Sequence, residues 1–292
     1  MANPFQKGSY QDQEDNELLD KAIAGNKAAL EQLIKKHQPF IYNVAWRMVT
    51  IPDDAWDITQ EVLIKVVTNL AKFQRKSSFR TWLYRIVVNH FLSMKKRGVE
   101  MAFSSFDAYG DNLASIPDHE YDSIEQQEKQ AEIEEMKVRC TTGMLVCLTR
   151  DQRLVYILGE VFNADHNIGA EIMDITPNNF RVKLSRARKD LYHFITDKCG
   201  LINKANPCRC RKKTQFAIDN GFIKPDKLEF NLVNQQKIKQ VVEPISIRWE
   251  DYFEEKYQQI YHNQPFNNTQ DKENFLKALL NDEEMKQILK QF

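Results

Sequence analysis

The residues from Asp54 to Leu70 set apolar side chains at Ala55, Ile58, Val62, Val66 and Leu70, with Leu63 and Val67 beside them, a spacing that closes one face of a helix. The other face carries Asp53, Asp54, Asp57, Gln60 and Glu61. A second stripe follows through Phe79, Trp82, Leu83, Ile86, Val87, Phe91 and Met94. Lys95-Lys96-Arg97-Gly98 then supplies the cations and glycine that suit a helix C-terminus. Little in the chain interrupts such helices: Gly and Pro number 9 each in 292 residues, about 3% apiece against a usual ~7% and ~5%. With 42% hydrophobic and 28% charged residues, this predicts a mainly α globular fold and excludes disorder, collagen-like repeats and many-turned sandwiches. The opening MANPFQKGSYQDQED is polar and acidic, which predicts no secretory signal. No apolar run approaches the ~18 residues of a spanning helix, so the expected compartment is the cytoplasm.

A net charge of zero conceals strong patterning. Lys72 to Arg97 holds eight basic residues and no acid, and Thr176 to Lys213 carries a net +9. Between them, Asp111 to Glu135 carries a net −8. Two basic blocks in an otherwise balanced chain point to nucleic acid as a partner.

The sharpest local signal is IGAEIMDITPNNFRVKLSRARKDL, residues Ile168–Leu191. A short helix ends near Asp174, Ile175-Thr176 makes the turn, and Thr176 caps the next helix with Pro177 at its first position. In that helix Phe180, Leu184, Ala187 and Leu191 share a narrow arc, opposite Asn178, Val182, Ser185 and Lys189 with Asn179, Arg181, Lys183 and Arg186 alongside. One face packs and the other offers amides to base edges and cations to phosphates, the requirement of a helix-turn-helix recognition helix. Upstream, Thr149-Arg150-Asp151-Gln152 has the form of a capping box before an apolar run.

The first basic block, KFQRKSSFRTWLYR at Lys72–Arg85, interleaves cations with Phe73, Phe79, Trp82 and Tyr84, a composition that suits single-stranded DNA. Phe79 and Trp82 lie on the apolar stripe and are expected in the core, while Phe73 and Tyr84 are less committed to it. The loop Gln74–Ser78 is a place to receive an extruded base. Residues 99–143, acidic and with few periodic apolar residues, read as a poor core with one short helix around Ser123–Met136.

Four segments in one order resemble the extracytoplasmic-function sigma factors of the sigma-70 class. DDAWDITQEVLIKV at Asp53–Val66 is similar to the family's DAEDLTQEVFLKV block, with Trp56 in place of an acid. FRTWLYRIVVNH at Phe79–His90 resembles the segment that reads the promoter −10 element, with Val87 where Ala is usual. LTRDQRLVYIL at Leu148–Leu158 resembles the start of region 4, and SRARKDL at Ser185–Leu191 the end of its recognition helix. The resemblance implies two small helical domains: region 2 over 15–98 and a helix-turn-helix region 4 over 144–197. An acidic linker over 99–143 would join them, and a mixed extension over 198–292 would follow, whose role the sequence does not reveal. It implies core RNA polymerase and promoter DNA as partners, and an anti-sigma factor as a class of regulator. By the resemblance Asp54, Asp57, Gln60 and Glu61 contact the polymerase. Arg75, Lys76, Ser77, Arg80, Tyr84, Arg85 and Asn89 serve the −10 strand. Thr176, Asn178, Asn179, Arg181, Lys183, Ser185, Arg186 and Lys189 serve the −35 duplex. Two departures carry expectations. Gly169 stands where Ile is usual, so the first helix of the turn packs differently. Asn178, Asn179 and Arg181 replace the common EGTVK, which changes the promoter sequence read. The alternative reading is a helix-turn-helix regulator that binds duplex DNA alone, which leaves the acidic face of Asp54–Glu61 without a role.

No catalytic motif appears, so an enzyme is not expected, nor is a cofactor. Of the five cysteines, Cys140 and Cys147 read as buried packing. Cys199, Cys208 and Cys210, in CGLINKANPCRC, are crowded enough to bind zinc with His193 as a fourth ligand. Arg209, Arg211, Lys212 and Lys213 would equally favour redox-active thiolates, and a plain structural role stays open. Strands at Leu228–Val233 and Ile245–Trp249, and helices near Trp249–Tyr261 and Lys272–Leu280, are expected beyond them.

Overall fold

A computed structural model describes residues 3–228 apart from Ser9, Arg97 and Ser104. The strands and helices expected beyond Leu228 lie outside the described residues. Twelve α-helices occur among them: α1 Asp12–Ile23, α2 Lys27–Val49, α3 Pro52–Asn69, α4 Phe79–Ser93, α5 Val99–Ala102, α6 Phe106–Ser115, α7 Ser123–Glu128, α8 Gln130–Met144, α9 Arg150–Tyr156, α10 His166–Met173, α11 Pro177–Lys198 and α12 Cys210–Asp219. The described residues contain no strand, only an isolated backbone bridge between Cys199 and Cys208. No helix among them is long and apolar enough to cross a membrane. They form two compact units, one of residues 3–95 and 162–181 and the other of 96–161 and 182–228.

In the first unit α2 packs on α1 and α3, and α4 packs on α3 and α10. Asn26 caps α2 by accepting from the Ala29 N–H at 3.0 Å, and Pro52 opens α3 where its missing N–H has no intrahelical partner to lose. The apolar stripe of α3 is buried at Ala55, Ile58, Val62, Leu63, Val66 and Val67, as its spacing predicts. Beneath α1 lies a polar cluster: Tyr10 donates to Asp15, His37 stands 3.0 Å from the same carboxylate, and Tyr84 approaches the other ring nitrogen at 3.4 Å. Phe5 is fully buried beside Tyr84 and Phe162, with ring centroids 4.6 and 5.0 Å away.

Three expectations change here. The helix expected to run to Lys95-Lys96-Arg97-Gly98 ends at Ser93, with Met94 already extended. The Ser93 hydroxyl bonds back to Asn89 O at 2.7 Å, in competition with the ladder of the last turn. Tyr84 and Phe73 are core residues, 1% and 9% exposed, whereas Trp82 keeps a half-exposed face.

The third change is in the second unit, where the acidic stretch from 99 folds into α5 to α8. α8 is buried along most of its length, Glu132, Glu134 and Glu135 included. Burial of those carboxylates is tolerable because Glu134 pairs with Lys137 at 2.7 Å and Glu135 with Arg139 at 2.8 Å, each within the helix. α12 packs on α8. The capping box at the start of α9 forms as read, with Thr149 and Gln152 satisfying each other's backbone N–H. α9 continues into a π-turn, Ile157–Val161, whose buried Glu160 accepts from Arg188 Nε of α11 at 2.6 Å.

Candidate nucleic-acid and polymerase interfaces

The acidic face of α3 is set by its buried stripe, which turns Asp57 and Glu61 to solvent and leaves Asp54 and Gln60 half-exposed. Glu61 approaches His90 of α4 at 3.4 Å. The four residues expected at the polymerase therefore lie along one helix, with their polar groups outward.

The segment expected to serve single-stranded DNA divides in two. Arg75 adopts a left-handed backbone at φ 54° and pairs with Asp20, Lys76 is exposed, and Ser77 is half-exposed. Ser78 caps α4 by accepting from Thr81 N at 3.1 Å. Arg80 and Tyr84, by contrast, face inward. Arg80 is 8% exposed, donates to Pro4 O at 3.0 Å and to Asp12 at 3.3 Å, and lies over the Tyr10 ring. Arg85 donates to Glu171 O at 2.9 Å and to Asp174 at 3.2 Å, both at the end of α10. Asn89 is exposed.

A cavity of about 340 Å³ opens between the C-terminal end of α3 and one face of α4, lined among others by Lys65, Lys72, Trp82, Asn89 and His90. Its wall is the Trp82 indole, held by Phe73 and Phe79 with centroids 5.3 and 5.8 Å away. Two ammonium groups stand at its margin, and Lys65 Nζ is held 2.7 Å from His90 Nδ1. A flat aromatic wall with cations and an amide beside it suits an unstacked base and its phosphate. Sequence reasoning gave Trp82 to the core because it falls on the stripe. Lys65 and His90 lie within the two resembling segments, but their pairing depends on the packing of α3 against α4, which the sequence does not display.

The helix-turn-helix takes the geometry read from its sequence. α10 ends at Met173, Asp174 follows with a left-handed backbone at φ 55°, and the Thr176 hydroxyl accepts from Asn179 N at 3.2 Å to cap α11. Phe180, Ala187 and Leu191 are fully buried. Asn178, Asn179, Arg181, Ser185, Arg186 and Lys189 are exposed, and Lys183 is half-exposed and paired with Asp151. Gly169 has a packing reason: a Cβ there would stand 2.5 Å from Phe180 Cζ. The turn is therefore built around a ring filling the space of a missing side chain.

The cysteines depart from the redox reading. Burial pushes the Cys199, Cys208 and Cys210 thiols up, and the nearby cations offset this only in part. Burial likewise pushes Cys147 up to about 12. None of the five is disulfide-bonded. His193 is exposed and lines a separate cavity with Cys147 and Phe106.

Comparison with known proteins bears on these surfaces. The family model for sigma-70 region 2 matches residues 33–99. The chain is 27% identical over 181 residues to the RNA polymerase sigma-H factor of Pseudomonas aeruginosa, covering 61% of this chain and 91% of that protein. It is 26% identical over 189 residues to the ECF RNA polymerase sigma-E factor of Haemophilus influenzae, covering 62% of this chain and 95% of that one. Among solved structures it is similar to CnrH in complex with the cytosolic domain of CnrY, at 19% identity and a TM-score of 0.44, covering 62% of this chain and 97% of that one.

Proposed function

We infer that this chain belongs to the extracytoplasmic-function sigma factors of the sigma-70 family, and that it binds core RNA polymerase and directs promoter-specific initiation of transcription. The observation that carries this is one ordered set: a sigma-70 region 2 match over 33–99, followed by a helix-turn-helix whose exposed face is amides and cations. The protein acts as an initiation factor in the cytoplasm and catalyses no reaction itself; an anti-sigma factor is the class of protein that would control it.

Division of labour follows from exposure and charge. Region 2 occupies 15–98 and region 4 occupies 144–197, with 99–143 between them. Asp54, Asp57, Gln60 and Glu61 dock on the polymerase. Arg75, Lys76, Ser77, Arg85 and Asn89 hold the −10 strand, and the Trp82 cavity receives a base drawn from the stack. Arg80 and Tyr84 support that surface from beneath. Asn178, Asn179 and Arg181 read −35 base edges, while Thr176, Lys183, Ser185, Arg186 and Lys189 position the duplex through its phosphates.

Run-off transcription with purified core polymerase on a pool of genomic promoters tests the reading. Specific transcripts that core alone does not make are expected, and their absence would sink it. Against a stand-alone regulator, the discriminating result is co-purification with core polymerase in the absence of DNA.

A further inference from the structure

We propose that His90 is a positioning residue of the Trp82 cavity. Its neutral imidazole, with the ring proton on Nε2, accepts from Lys65 at Nδ1 and aims that ammonium at the phosphate of a nucleotide whose base lies on Trp82. This role rests on the cavity being the seat of an unstacked −10 base, and it adds the residue that prepares the site before the strand arrives.

The protonation of the ring follows from what its neighbours can offer. Lys65 Nζ and His90 Nδ1 stand 2.7 Å apart. An ammonium has only protons to give, so Nδ1 must present its lone pair. A neutral imidazole then carries its one proton on Nε2, and the Glu61 carboxylate stands 3.4 Å from that nitrogen. Glu61 therefore favours the tautomer that Lys65 requires. A charged ring would set two positive groups 2.7 Å apart with no lone pair between them. His90 is 5% exposed, and both of its polar neighbours come from α3, so the ring is held in one orientation between the two helices.

Holding by a neutral group matters for charge. Lys65 is exposed, and an exposed lysine ordinarily keeps many rotamers. A carboxylate that ordered it would also neutralise it, whereas the imidazole orders the ammonium and leaves its charge in place. Lys72, the other cation of the cavity, is held alike: it donates to Asn69 Oδ1 at 3.3 Å, and Asn69 Nδ2 donates to Lys65 O at 2.8 Å. Among the described residues neither lysine stands in an ion pair. Lys36, by contrast, is paired with Glu14 at 2.6 Å and Asp15 at 2.8 Å. An ammonium has three donors, so Lys65 can keep Nδ1 and still give two N–H groups to a phosphate. The Trp82 indole adds a stacking surface and Asn89 an amide. The ligand is therefore a nucleotide within a single strand and not a free phosphate.

The full chain labelled with 15N in histidine gives the first test. At neutral pH the His90 ring, identified by the signal that His90→Asn lacks, is expected neutral and protonated at Nε2. A proton on Nδ1, or an imidazolium, overturns the proposal. The second test uses a dye-labelled single DNA strand of about 12 nucleotides, a length that one such groove covers. His90→Leu keeps apolar volume but offers no acceptor, and about 2- to 10-fold weaker binding is expected, the range for losing one pre-ordered side chain. Its salt slope should match wild type, because no charge is removed. Lys65→Met, which removes a phosphate contact, should instead flatten that slope by about 0.7. In His90→Asn the amide oxygen takes the place of Nδ1 and should recover most of the lost affinity. Undiminished binding by His90→Leu, or an equal loss in His90→Asn, overturns the proposal and leaves the −10 reading of the cavity standing. No strand binding by wild type removes both. Because a buried substitution can fail to fold, the wild-type ring signal is also followed as the strand is added. The Nε2-protonated form is expected to persist, and conversion to imidazolium overturns the proposal.

Discussion

The ring of Phe180 occupies the space that a side chain at Gly169 would need, with an ideal Cβ only 2.5 Å from Cζ. Both residues are buried and they belong to the two helices of the turn. Gly169→Ala gains helix propensity in α10 but forces the ring or the helix to move. The expected net cost is about 1–3 kcal/mol, the usual range for overpacking. Urea unfolding should show a lower midpoint with an unchanged slope, and a variant as stable as the parent would contradict the packing described.

Glu100 gathers two arginines. Its carboxylate accepts from Arg150 Nε at 3.0 Å and Nη2 at 2.7 Å, and from Arg153 Nη1 at 3.0 Å. Arg153 is 2% exposed and also donates to Val146 O and Leu148 O. Glu100→Ala leaves a buried guanidinium without its carboxylate, and a loss of about 3–5 kcal/mol is expected. Burial alone would raise the Glu100 carboxyl, but the Arg150 hydrogen bond and the Arg153 charge hold it below the ordinary carboxylate range. Asp15 behaves alike: burial raises it, and the hydrogen bond and charge of His37, with Lys36, bring it down. A carboxyl lower in the folded than in the unfolded chain stabilises fully above the unfolded value, near ~4. That contribution is lost as pH falls through the folded value. The expected outcome is a fall in denaturation midpoint on acidification below about pH 4, with a shallower acid limb in Glu100→Gln.

Asp57 and Gln60 stand on the outer face of α3 and accept no bond that holds the fold. Their joint replacement by Ala should leave stability within about 0.5 kcal/mol and weaken binding to core polymerase. Unchanged capture of polymerase by the double variant would count against the docking face.

On α11, Asn179→Ala and Arg181→Ala should relax or shift preference at particular −35 positions, each lost base contact being worth about 1–3 kcal/mol. Arg186→Ala should weaken binding evenly across promoters and reduce the salt slope by about one. Equal effects of all three changes on every sequence would refute the division between reading and positioning.

The helices around these sites are legible because local rules set them. Period fixes the α3 stripe, Thr149 and Gln152 announce α9, and Asp174 to Pro177 spell a turn with its cap. What the sequence conceals is burial that depends on a distant partner. Glu134 and Glu135 fall in the acidic stretch read as a poor core, yet both are 1% exposed because Lys137 and Arg139 neutralise them within one turn. Tyr84 looks free of the stripe, but its ring and hydroxyl are taken up by Phe5 and His37. Cys140 lies 70 positions before Cys210, and the packing of α12 on α8 is what brings their helices together.

The burial of Phe162 among Phe5, Phe40 and Arg47 has a consequence for how the protein is made. Its carbonyl also receives the Asn3 side chain at 2.7 Å, so the extreme N-terminus of the first unit is fastened by a residue from beyond α9. A ribosome adding roughly 5–20 residues per second delivers that residue several seconds after α4 has emerged. Through that interval the nascent α1–α4 bundle displays the faces of Phe5 and Phe40 that Phe162 later covers, an adhesive surface that chaperones would recognise. The N-terminal helices are thus translated first and finished late, waiting for most of the second unit to be synthesised.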